Sequence, residues 1–286
     1  MNTSASRRIA VLVALAVAVA ALSGGGAYWY ARNHVPYQEA VAAFEEAVDG
    51  LTSRNAELDE AVESLQALID GDDEPLNPAT RDAARTAVKQ ATAARQAIPA
   101  MPGGADDIVR AAERVEGTGD YSEQLAALAA AERALQDSID QLKQVTCPSE
   151  AFVIERVSAL TDVIGVEAVT ASNDPNHNFN KEGGYTAAVY FSLDLVDRSL
   201  VQADEGYTGI VAEGNEGGGC VEVYRTAEDA ETRNTYLAQF DDNPQVAAGS
   251  HEVLGTCVIR TSDYLTDAQQ QAVTQEVKEQ LVRLDE

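Results

Sequence analysis

"NDPNHNFNKEGGYTAAVYF", residues 173–191, marks the place where the chain changes its grammar. Asparagine and aspartate crowd the first half, Gly183 and Gly184 turn it, and "YTAAVYF" then reads as a strand. Everything before Cys147 has helical spacing, and everything after it alternates strand and helix signals. "PSEAFVIERVSAL" is a helix and "VIGVEAVTA" a first, β-branched strand; "YTAAVYF" is the second and "GGGCVEVYR" the third. "TAEDAETRNTYLAQF" returns to helical spacing with Thr226 as cap. "HEVLGTCVIRT" reads as a fourth strand, and "LTDAQQQAVTQEVKEQLVRL" as a last helix whose Thr266 and Gln269 form a capping box. Connections of both hairpin and helix length predict an α+β domain over residues 147–286, a small, mainly antiparallel sheet with helices packed on one face.

Upstream, residues 33–146 predict an alanine-rich antiparallel helical bundle or stalk. Val41, Phe44, Val48, Leu51, Leu58, Val62, Leu65 and Leu68 recur at three- and four-residue spacings with acids between them. Gly71 and Pro75 end that helix, Asn77 offers a cap for the next, and "PAMPGG" breaks the chain again. A short helical piece is expected near Asp106 to Val115, inside the second connection. The region has no inward Glu-x-x-His pair, so it reads as a spacer and not as a catalytic unit.

At the amino terminus, residues 9–31, "IAVLVALAVAVAALSGGGAYWYA", contain no charged residue and are long enough to span a bilayer. Arg7 and Arg8 precede them, and Tyr28, Trp29 and Tyr30 fall where an interfacial aromatic belt belongs. The expectation is a single-pass plasma-membrane protein with residues 1–8 as cytoplasmic tail and the carboxyl terminus outside. A cleaved signal peptide is the competing reading, since "AVA" and "GGA" offer small-residue cleavage sites. Either reading exports the rest of the chain. Acidic residues outnumber basic ones 47 to 20, and the net charge of −27 disfavours nucleic acid as a partner. The membrane is met through the N-terminal helix, and the expected partner is an envelope protein or polymer.

Enzyme signatures are sparse. With His34 beside the membrane, His177 and His251 remain as general bases, and there is no Gly-x-Ser-x-Gly, His-Glu-x-x-His or phosphate loop. Ser250 beside His251 is no dyad, because strand neighbours point to opposite faces. Cys147, Cys220 and Cys257 allow one bridge in an oxidising compartment. Cys147–Cys220 is the expected pair and Cys220–Cys257 the alternative, with Cys257 as a buried free thiol in the first case. The parity behind this puts Val253, Cys257 and Ile259 on one core face, and sets Cys220 and Glu222 opposite the buried Val221 and Val223.

In the 173–185 loop, Asp174, Asn176 and Asn178 occupy positions one, three and five of a calcium-loop pattern. The pattern fails at Phe179, where glycine is needed, and at Tyr185, where the bidentate glutamate belongs. No metal or cofactor is therefore expected, although a looser site of Asp174 with backbone carbonyls stays open. The simpler reading is a turn held by Asx side chains. Asp174, Asn176, His177, Asn178, Asn180, Lys181 and Tyr185 are the candidate ligand-binding residues of a non-catalytic interaction module. The alternative is an envelope hydrolase using Asp174 and His177. The glycine-rich stretch "EGYTGIVAEGNEGGGC", residues 205–220, is expected to lie beside this loop.

Two resemblances accompany these readings. The helical period of residues 36–146 resembles the alanine-rich three-helix modules of Gram-positive surface proteins, the FIVAR/Ebh type. The Asn-Asp-Pro-Asn loop leading to Gly-Gly-Tyr-Thr, with the "GGCVEVY" and "VLGTCVIR" strands behind it, resembles an α+β module of exported lipoproteins and surface proteins in Gram-positive bacteria, covering residues 148–286. This chain carries Glu182-Gly183-Gly184 where many members of that group have a proline-containing turn, and an apolar anchor where they have a lipid. The resemblance implies an exported location and the fold, and no established activity.

Overall fold

The computed structural model describes residues 35–203, 208–241 and 249–285. The expected membrane segment, 9–31, lies outside the described residues, among which no helix is long and apolar enough to cross a membrane. The chain forms two compact units: residues 1–71 with 82–132, and residues 72–81 with 133–286. The second therefore begins before Cys147.

In the first unit, α1 (Thr3–Ile69), α2 (Ala79–Ala94), α3 (Ala105–Glu116) and the first half of α4 (Ser122–Gln144) form the helical bundle. The short helix in the second connection falls where its spacing predicts it. Ile108, Ala111, Ala112 and Val115 of α3 bury themselves with Ala40, Phe44, Ala47 and Leu51 of α1. A buried polar junction fixes the register. The Tyr121 hydroxyl donates to Asn55 Oδ1 (2.6 Å) and accepts from the Gln96 amide (2.8 Å), while Asn55 Nδ2 donates to the Gln96 carbonyl (2.9 Å).

The second unit is an α+β domain. Its helices are α5 (Glu150–Val157), α6 (Ile210–Glu213), α7 (Ala227–Leu237) and α8 (Asp267–Val282). Among the described residues it has a five-stranded antiparallel sheet, β1 (Val163–Ala168), β2 (Ala187–Leu193), β3 (Gly218–Val223), β4 (His251–Leu254) and β5 (Cys257–Thr261), in the order β1-β2-β3-β5-β4. Thr226 caps α7 by accepting the Asp229 amide at 3.1 Å, and Thr266 with Gln269 closes the capping box of α8.

Two expectations need correction. "HEVLGTCVIRT" is a hairpin and not one strand: Gly255, at φ +60°, and Thr256 turn the chain, and Leu254 pairs with Cys257. This moves Val253 to the face opposite Cys257 and Ile259. Helices also cover both faces of the sheet and not one. Val153 and Val157 of α5 and Val273, Val277 and Leu281 of α8 pack on Val189, Phe191, Val221 and Ile259. Val211 of α6 and Ala230 and Leu237 of α7 pack on Ala188, Tyr190, Cys220 and Val258. The reason is written in β2, whose "AAVYFSL" is buried along its whole length, as befits a strand covered on both sides.

The end of α4 is knitted into this unit. The Val145 carbonyl accepts the Thr256 amide at 3.0 Å, and the Cys147 amide donates to Thr256 Oγ1 at 2.6 Å. Gln144 Nε2 reaches the carbonyls of Leu281 (2.8 Å) and Arg283 (2.9 Å).

The expected Cys147–Cys220 disulfide is absent: all three cysteines are free, Cys147 exposed and the other two buried. Antiparallel register places Cys220 opposite Arg260 and Cys257 opposite Val223, so their side chains enter different cores. That excludes the alternative pair as well. Burial pushes both inner thiols up, Cys257 to about 12.

Candidate ligand cleft

The 173–185 loop closes on its own backbone. Asp174 is buried, and its carboxylate accepts the amides of Asn176 (Oδ1, 3.0 Å) and Phe179 (Oδ2, 2.7 Å) together with the Tyr185 hydroxyl. Burial raises the Asp174 carboxyl, but the hydrogen bonds from Tyr185, Phe179, Asn176 and Asn178 outweigh it and hold the group below the usual carboxylate range. Tyr185 is fully buried, its ring packed against Phe179 and edge-on to Tyr224 at 6.4 Å between centroids in both cases. Its carbonyl accepts the Asn180 amide at 2.8 Å. His177 and Asn180 both adopt φ +55°, the left-handed conformation that asparagine tolerates. A Cβ on Gly184 would collide with the Asn178 carbonyl, so this position needs glycine.

The candidate residues therefore divide into two sets. Asp174 and Tyr185 are the buried hub, whereas His177, Asn180 and Lys181 stand exposed on the loop. Asn176 and Asn178 line a cleft of about 340 Å³ whose other wall is Thr232, Arg233 and Tyr236 of α7, with Tyr224 and Gly183 completing it. Asn176 Nδ2 is also held by the Tyr190 hydroxyl at 3.1 Å.

Beneath the α7 wall lies a charged cluster that sequence reasoning missed. Glu222 is fully buried and takes Arg233 Nε (2.8 Å) and Nη2 (2.9 Å), Arg260 Nη1 (3.0 Å) and the Tyr224 hydroxyl (2.8 Å). Desolvation raises its pKa, yet the two guanidiniums win and draw it down to about 2. Strand alternation sets Glu222 with Cys220 on the face opposite the buried Val221 and Val223, and that parity alone gives no sign of a buried ion pair. The signal for one is Arg233 in the following helix, one of the chain's 20 basic residues against 47 acids.

A second, larger groove of about 410 Å³ runs between β4 and α8, past Ser250, His251, Glu252 and Lys278. The four side chains Ser250, His251, Glu252 and Lys278 are engaged with one another or with neighbours. Lys278 pairs with Glu252 at 2.6 Å, Ser250 Oγ meets Thr261 Oγ1 at 2.6 Å, and His251 bridges Asn234 (2.6 Å) and Asp241 (3.0 Å). Ser250 and His251 thus belong to separate networks. Among the described residues no group of three His, Cys, Asp or Glu side chains is placed to hold a metal ion.

The glycine-rich stretch leads into β3 at Gly218, opposite Ser192 at the far end of β2, whereas the 173–185 loop leads into β2 at its near end, opposite Val223. Antiparallel pairing thus sets the strand entries of the two stretches at opposite ends, while Asn173 of the loop and Val211 of the glycine-rich stretch still meet on one carboxylate. Glu167 of β1 links their flanks, accepting Asn173 Nδ2 at 3.4 Å and the Val211 amide at 3.1 Å.

Comparison with family models, curated proteins and solved structures gives no match to this chain.

Proposed function

We propose that the chain is a membrane-anchored cell-envelope protein whose sheet unit is a non-catalytic binding module displayed on a helical stalk. The observation that carries the module reading is the cleft between the closed loop and α7, where amide, hydroxyl, guanidinium and aromatic groups converge on a fixed scaffold. Small-ligand sites have this character, a few placed polar groups on a preformed concave wall. The partner is an envelope protein or polymer that presents a projecting group to the cleft. Membrane anchoring rests on the uncharged run 9–31 behind Arg7 and Arg8, and on the resemblance of the loop and strands to exported modules. The hydrolase alternative gains nothing from the geometry: Asp174 spends both oxygens inside the loop, and His177 is exposed and not among the residues lining the cleft.

The test is a crosslinking pull-down from intact cells with wild-type chain and with an Asn178→Ala, Tyr236→Ala double variant. Tyr236 is 50% exposed, so the variant keeps the core. Loss of a wild-type partner in the variant is the expected result. Equal capture by both would overturn the assignment of the site.

A further inference from the structure

The cleft has an electrostatic asymmetry that points to the charge of what enters it. One carboxylate, Glu222, answers two guanidiniums, Arg233 and Arg260, and among the described residues neither arginine bonds any other acid. Buried charges are ordinarily paired one to one or neutralised. Here a net positive charge is left beneath the cleft, in a chain whose net charge is −27. Arg260 adds to the imbalance, since its Nε is buried with no hydrogen-bond partner.

Arg233 delivers that charge to the cleft. Its Nε and Nη2 are committed to Glu222, which fixes the guanidinium plane, and Nη1 has no partner among the described residues. The side chain is 12% exposed and lines the cleft wall. Its guanidinium carbon lies 5.5 Å from the Tyr236 ring centroid, a further restraint on its orientation. A guanidinium whose Nε and Nη2 are held by a buried carboxylate, on a residue that lines a cleft, keeps its remaining terminal nitrogen as a donor for a planar anion. Asn176, Asn178 and Thr232 line the same cleft and bring amide and hydroxyl groups to it.

Resting on the reading of this cleft as the binding site, we propose that its ligand is a monoanionic carboxylate, bound through Arg233 Nη1 and flanked by hydroxyl or amide groups that Asn176, Asn178 and Thr232 recognise. A single charge matches the single excess charge; a dianion would leave an unpaired negative charge beside Glu222. Such a carboxylate occurs on an acidic sugar or at a peptide carboxyl terminus. The two share the chemistry that Arg233 reads, and they differ in what meets the amides.

The test is calorimetric titration of the purified full-length chain with glucuronate against glucose, and with N-acetyl-dialanine against its carboxamide. The expected result is binding of at least one acid with little or none of its neutral counterpart, weakening as salt is added. The pair that shows the preference identifies the source. Asn178→Asp places a like charge at the mouth and is expected to weaken the acid by about tenfold without lowering Tm. Equal binding of an acid and its neutral counterpart, or no heat from either acid at millimolar concentration, would overturn the inference. So would an unchanged affinity in Asn178→Asp. If the cleft variant loses its cellular partner while carboxylates give no heat, this inference fails alone. If the cellular partner is retained, it is the site assignment that fails.

Discussion

Arg233 Nε lies 2.8 Å from Glu222 Oε2 and its Nη2 lies 2.9 Å from Oε1, so helix α7 is bolted to strand β3 by a two-pronged ion pair. Glu222 is the strand's second-last residue and Arg233 sits in the middle of the helix that follows. The pair therefore fixes both the rotation of α7 and the wall of the cleft that Arg233 lines.

Acid should loosen this bolt. Glu222 has an ordinary pKa of 4.5 and a folded one near 2, so its stabilisation is present above about pH 4.5 and is lost as pH falls through 2. In that window the unfolded chain binds a proton that the native one refuses, for a total on the order of 3 kcal/mol. Denaturant midpoints measured between pH 5 and 2 should fall, and Glu222→Gln should flatten the slope. The same slope in wild type and variant would remove Glu222 as its source.

Asp174→Ala should destabilise the sheet unit by about 2 kcal/mol, since it strands the buried Tyr185 hydroxyl along with two backbone amides. Asp174→Asn keeps acceptors and should cost less. Calcium is expected to leave the wild-type Tm unchanged, because both carboxylate oxygens already serve the loop and a ligand stabilises only through binding to the folded state. A rise of several degrees with millimolar calcium, abolished by Asp174→Ala, would reverse this reading of the loop.

The thiols should separate cleanly by accessibility. Cys147 is exposed and should alkylate in the native protein, whereas Cys220 and Cys257 should react after unfolding. Mass spectrometry after a native iodoacetamide pulse is expected to show one modification. A Cys147–Cys220 crosslinked peptide from freshly isolated protein would contradict the placement of Cys220 in the α7 core.

For topology, protease added to intact protoplasts should digest the chain beyond about residue 32 and leave the anchor in the membrane. A full ectodomain in the medium, with a new amino terminus between Ala20 and Tyr28, would mean that residues 9–31 are a cleaved signal.

Local signals in this sequence were legible, and long-range ones were not. Thr226, the Thr266–Gln269 box and the short helix around Ile108 could be read because each depends on residues within a turn of one another. The Asx-held loop could be read for the same reason: Asp174 caps amides two and five residues ahead. The β4–β5 hairpin was hidden because its turn is a mere two residues inside an otherwise strand-like run. The second helical layer does have a sequence signal, in β2, which is apolar at both parities where a sheet covered on one face needs only one. Glu222, Arg233 and Arg260 were hidden because their partnership spans 38 residues and depends on the register of β3 against β5.

The loop's division of labour bears on how such a protein diversifies. Asp174, Tyr185 and Gly184 hold the loop through buried contacts, while the exposed side chains of His177, Asn180 and Lys181 make no hydrogen bond among the described residues. The scaffold and the presented surface are thus different residues, interleaved along thirteen positions of chain from 173 to 185. A lineage carrying this module can rewrite Lys181 without renegotiating how the loop is folded, whereas His177 and Asn180, held at φ +55°, admit asparagine, aspartate or glycine more readily than β-branched residues.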